Sequence, residues 1–145
     1  MPPIVRSILA IVAGFMFIGA LARVTGTTLQ TAGVFPAVGE PVTDVARVLL
    51  ETAYVAVFAI TGCWLAALIA PSRPMRHALI LGLLGLAFNV IVAVATWGQR
   101  PTWAVLLNLA LVMPYAWIGG RLREMQLERG RLREMPSGRE RVAVS

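Results

Sequence analysis

Three stretches of this chain, 52–72, 78–97 and 102–120, contain no Asp, Glu, Lys or Arg, and a fourth, 1–22, contains only Arg6. Each is close to the ~20 apolar residues that a helix needs to cross a hydrocarbon core of ~30 Å. A soluble domain spreads its charge over every helix and carries about 25% charged residues. Here 14% of the 145 residues are charged, and mean hydropathy is +0.76. The expected fold is all-α: a polytopic membrane four-helix bundle.

Helix signals set the boundaries. The first span covers about 4–22. The second covers about 43–70, because "PVTD" supplies a Pro, a hydroxyl and an acid for its N-terminus and "APSRP" ends it. The third covers about 77–97 and the fourth 101–120, with Pro101 suited to a first helical turn. Pro114 cannot donate to the carbonyl of Ala110, so a kink is expected there. Residues 1–120 thus form the membrane domain, and 121–145 form a basic tail, helical at its start. Gly98 to Arg100 alone separate spans three and four, which makes them a tight antiparallel hairpin.

Arginine sets the orientation. Arg6, Arg73, Arg76 and the seven Arg of the tail fall on one side; Arg23, Arg47 and Arg100 fall on the other. Positive-inside logic puts both termini in the cytoplasm of a bacterial inner membrane. Trp97, Trp103 and Trp117 lie at span ends, as interfacial aromatics do. The start of the chain, with Arg6, an apolar run and Ala20 and Ala22, also has the outline of a cleaved signal peptide. Retention as a span is the expectation.

The tail writes "RLREM" twice, ten residues apart. Leu122, Met125, Leu132 and Met135 share one helical face, but Leu127 falls off it and Gly130 weakens the helix by ~1 kcal/mol. The helix is expected to end near Arg129. Arg121, Arg123, Arg129, Arg131 and Arg133 are candidates for contact with anionic lipid, each worth ~1 kcal/mol, or with a partner protein. The plainer alternative is a topology signal whose charges are solvated. Interleaved acids and the lack of an aromatic platform argue against nucleic acid.

Membrane helices associate by close packing, so small side chains mark their seams. In span two, Thr52, Ala56, Ala59, Cys63, Ala66 and Ala70 recur at alternating steps of four and three, beside Gly62 and Ala67. Ala78, Gly82 and Gly85 continue the pattern in span three, and Ala10, Gly14 and Gly19 mark span one less regularly. If the hairpin turns between Gly98 and Gln99, residues summing to 197 lie level. Asn89 then meets Asn108, Gly82 meets Tyr115, and Ala78 meets Gly119. The two Asn are expected to face each other or a common partner, as helix glue or, alternatively, as a solute site.

Candidates for chemistry are few. Glu51 is the one acid near a span, at the outer boundary, where Asp44, Arg47 and Glu51 are spaced for a self-neutralising ladder. His77 sits beside Arg73 and Arg76 at an interface, and a single His excludes any bis-imidazole site. Cys63 has no partner for a disulfide. No catalytic set, metal spacing or phosphate loop is written in the chain, so no cofactor is expected. Segment 23–44 is expected to be a loop that covers the outer face or contacts a partner.

The stretch "GCWLAALIAPSRPMRHALILGLLGLAFNV", 62–90, with the later "PYAWIGGRL", resembles small four-span bacterial inner-membrane proteins of hypothetical function. The resemblance implies a membrane location and carries no activity. Small multidrug transporters are similar in length and span count but hold a Glu inside span one, where this chain has no acid. Fluoride channels have a comparable span count, yet their Asn and Phe/Thr-rich pattern is not reproduced. The leading expectation is a non-enzymatic accessory or assembly subunit of a larger membrane complex, or a homo-oligomer, docking through the span-two stripe. A small transporter or channel working as an oligomer through Asn89, Asn108 and Glu51 is the alternative, and a membrane enzyme comes third.

Overall fold

The structure, a computed structural model, describes residues 2–37, 39–70 and 72–134. Four helices follow in order: α1 (Pro3–Thr31), α2 (Val45–Ile69), α3 (Pro74–Ala95) and α4 (Thr102–Glu134). All 4 are long and apolar enough to cross a membrane, with mean hydropathy from 1.5 to 2.6 in their most apolar windows. Large apolar side chains such as Ile4, Met16, Val57, Leu83, Ile91 and Leu106 are exposed around the perimeter. That surface suits lipid, not water. The protein is a multi-pass membrane protein built as an all-α bundle.

Two ends can be named without reference to either side of the membrane. At the tail end α1 begins, α2 passes to α3, and α4 runs on toward the C-terminus. At the loop end lie the α1–α2 loop and the α3–α4 turn. Helix α2 packs against all three others, α3 packs against α4 and more thinly against α1, and α1 does not pack on α4.

Three boundaries differ from expectation. Helix α1 does not stop at Ala22 but continues to Thr31. Along its Thr-rich end the hydroxyls are satisfied within the helix: Thr27 donates to the carbonyl of Arg23 at 3.0 Å, and Thr28 to that of Val24 at 2.8 Å. Gly33, with φ +74, then turns the chain away. The loop is therefore 32–44, shorter than the expected 23–44. Helix α4 passes through Pro114 and also through Gly130, reaching Glu134 rather than ending near Arg129. Met135, Arg139 and Arg141 lie outside the described residues. At the start of α2 the expected cap is present: the Asp44 carboxylate accepts from the Ala46 amide at 3.1 Å.

The core occupies the tail-end half and is made of small residues. Cys63, Ala66, Ala67, Ala78, Leu81 and Ala116 form it, with Ile11, Phe15 and Ile18 against it. Leu81 is the one large side chain fully buried among the described residues. Backbones approach closely instead. A Cβ on Gly14 would lie 2.8 Å from the carbonyl oxygen of Gly62, and one on Gly119 would lie 2.7 Å from the carbonyl oxygen of Ile60. These glycines let α1 and α4 grip opposite sides of α2. The tail half of the span-two stripe is thereby used inside the chain: Cys63 and Ala66 are buried, while Thr52, Ala56, Ala59 and Ala70 are half-buried.

The hairpin register is close to that expected but slips by one residue at its tail end. Gly85 faces Val112, as a sum of 197 requires. Gly82, however, faces Ala116 rather than Tyr115, and Ala78 lies against Gly120 rather than Gly119. Gly119 turns to α2, which a pairwise reading of one hairpin cannot anticipate.

Candidate functional site

Toward the loop end the helices part. Leu81 on Gly14 and the Phe15–Phe88 ring pair join α1 to α3; the two rings meet edge to face at 5.6 Å. One turn of α1 further along, a Cβ on Gly19 would meet nothing within 4 Å. The result is a half-open cavity of about 320 Å³ bounded by all four helices. Phe15, Ile18, Val55, Phe88, Val92 and Leu109 give it an apolar lining, interrupted by Asn89, Thr96, Asn108, Glu51 and Arg100.

Helix geometry places the polar groups. Asn89 and Asn108 both line this cavity, level with each other as the hairpin register requires, but they do not bond to one another. The Asn89 amide donates to the carbonyl of Gly85, one turn back, at 2.8 Å. Its carbonyl oxygen stays unused. Asn108 makes no side-chain hydrogen bond among the described residues. The Thr96 hydroxyl donates to the carbonyl of Val92 at 2.8 Å and keeps its acceptor capacity.

Glu51 behaves differently from the expected ladder. Asp44 and Arg47 do pair, at 3.5 Å on the exposed surface. Glu51 instead turns across the bundle to Arg100, whose two terminal nitrogens donate to its two carboxylate oxygens at 2.8 Å each. The side chains are 19% and 35% exposed respectively. A two-pronged guanidinium–carboxylate contact in such surroundings outweighs a single-pronged contact to Arg47 on the same helix. Arg100 was recognisable in the sequence as a charge at the same boundary as Glu51, though nothing local connects residues 49 apart.

A second cavity, also about 320 Å³, lies on the loop-end side of this pair. It is lined by Arg23, Thr27 and Gln30 of α1, by Glu40 and neighbours in the loop, and by Tyr54, Gln99, Glu51 and Arg100. The loop that expectation left open is tied down here: the Val42 amide donates to the Gln99 carbonyl at 3.0 Å, and Phe35 is buried. Glu51 and Arg100 line both cavities. They form the partition between a polar vestibule and an apolar chamber.

At the tail end, α4 extends well past the core. Trp64 donates to Gln126 at 3.0 Å, fastening the end of α2 to this extension. Arg121 sits over the Trp117 ring at 5.8 Å and pairs with Glu124 at 3.3 Å. Arg123 is half-buried; Arg129, Arg131 and Arg133 are exposed. His77 lies against the Arg73 carbonyl, with Nδ1 at 3.3 Å. Among the described residues no three His, Cys, Asp or Glu come together as a metal site would require. No protein-family model, curated protein or solved structure matches this chain.

Proposed function

We propose that this chain holds a small solute in the chamber between its four helices, as a binding or carrier protein of the bacterial inner membrane with both termini in the cytoplasm. The single observation behind this reading is the chamber itself, with two amide side chains in its lining and an ion pair at its far end. Helix glue would have the amides bonded across the seam; here one bonds within its own helix and the other has no hydrogen-bond partner among the described residues. An oligomer is not required to form the site, because one chain supplies lining residues from all four helices. The orientation is supported by the arginine distribution.

Native mass spectrometry of the chain released from its own membrane in mild detergent tests this. A retained small-molecule adduct that disappears in Asn108→Trp, which fills the chamber, is the expected result. Release of the bare chain, with wild type and variant identical, contradicts it.

A second reading keeps the chain as an accessory subunit or homo-oligomer. It is favoured by the α4 extension, where Leu122, Met125 and Leu132 are exposed beyond the bundle. It no longer rests on the inner part of the α2 stripe, which the chain itself covers. Co-release of other subunits, lost when the chain is truncated after Arg121, would support that reading.

A further inference from the structure

We infer that the chamber takes the uncharged, hydrogen-bonding head of an amphiphile dissolved in the bilayer, which slides in sideways between α1 and α3 past Gly19. This rests on the solute-binding proposal above and adds the class of solute and its route. The route follows from which walls are exposed. Gly19, Phe88 and Val92 line the chamber and are also exposed on the bundle's flank, whereas the α4 lining residues are buried or half-buried. That flank faces acyl chains, with Val12, Met16, Leu84 and Ile91 exposed around it. The Phe15–Phe88 pair closes the gap on the tail-end side.

The class follows from charge. Glu51 and Arg100 neutralise each other through two hydrogen bonds, so the chamber is formally neutral. An anionic head would have to break Arg100 away or sit unpaired beside Glu51, and a cation would do the converse. Within a membrane an uncompensated charge is costly. The uncharged free groups are an acceptor on Asn89, an acceptor on Thr96, and donors with an acceptor on Asn108. They suit a hydroxyl or carbonyl head. A volume of about 320 Å³ lies at the small end of the ~300–1,000 Å³ typical of ligand pockets. The head fits, and a long hydrocarbon chain must leave through the mouth into lipid.

The test uses the full chain in phosphatidylcholine nanodiscs and three diazirine probes of one chain length: an alcohol, a carboxylate and a quaternary ammonium. Crosslinks are mapped by mass spectrometry. The alcohol is expected to label the segments around Asn89 and Asn108 severalfold more than either charged probe. Asn108→Leu should lower that labelling about three- to tenfold, in line with loss of one membrane hydrogen bond. Gly19→Leu should abolish it while unfolding at the wild-type temperature, since a Cβ there meets nothing within 4 Å. Equal or stronger labelling by a charged probe, still blocked by Gly19→Leu, overturns the solute class and leaves the binding site standing. Alcohol labelling that survives Gly19→Leu overturns the lateral route. If no probe labels the chamber, the inference and the proposed function fall together.

Discussion

The two halves of this bundle are made from similar residues and put them to opposite use. In the tail-end half, glycine and alanine bring backbones together: Gly14 against Gly62, Gly119 against Ile60, Gly82 against Ala116. In the loop-end half, Gly19 and Gly85 also lie on helix flanks, yet the space a Cβ would take is empty or loosely bounded. The same small side chain is a seam in one place and a window in the other. Lipid cannot drive helices together by the hydrophobic effect, so packing alone decides which. Packing that is tight at one end leaves room for polar side chains and an ion pair at the other.

The largest contrast comes from one substitution made in both halves. Gly119→Ala and Gly14→Ala force a Cβ to within 3 Å of backbone atoms that cannot move aside. Each should cost ~3 kcal/mol or more in reversible unfolding in mixed detergent. Gly19→Ala and Gly85→Ala should cost nothing and gain up to ~0.5–1 kcal/mol from helix propensity. Equal losses at all four positions would mean that the halves are packed alike.

Next in size is the partition. Glu51→Gln leaves Arg100 without its charge partner in a half-buried place, for which ~1–3 kcal/mol is expected. Arg100→Lys should lose part of that, because an ammonium cannot make both contacts. Hydrogen exchange in the α3–α4 turn should rise in both variants, and unchanged protection there would show that the pair does not brace the loop end. Smaller still is the amide pair. Asn89→Leu and Asn108→Leu should each change stability by about 0.6 kcal/mol or less, and a double-mutant cycle should return no coupling between them. Measurable coupling would restore the helix-glue reading. The smallest effect is at the tail end, where Gln126→Leu removes the exposed bond to Trp64 for ~0.5 kcal/mol.

How much of this was legible in the residues depends on the range of the interaction. Span number and the α2 cap follow from local rules about apolar length and orphaned amides, and Asp44 obeys them. The α3–α4 register was readable to within one residue because a three-residue turn leaves little freedom. Segment 23–31 looked like loop by its Thr and Gly content; its hydroxyls instead bond the preceding turn of the same helix. The α2 stripe showed that a backbone can approach, not that α1 and α4 would be the ones approaching. Glu51 had a local partner in Arg47 and a better one in Arg100, and only the folded bundle brings the better one into reach. The chamber, being a space between elements, has no sequence signature beyond the two amides that line it.

A thiol comparison separates the halves within one molecule. The native Cys63 is 3% exposed in the tail-end core, and Asn108→Cys places a second thiol on the chamber wall. In intact protein in nanodiscs, a small neutral methanethiosulfonate should modify the thiol at 108 and spare Cys63 until the protein is unfolded. Modification of Cys63 at a matching rate, or protection of both, would contradict a packed half joined to an open one.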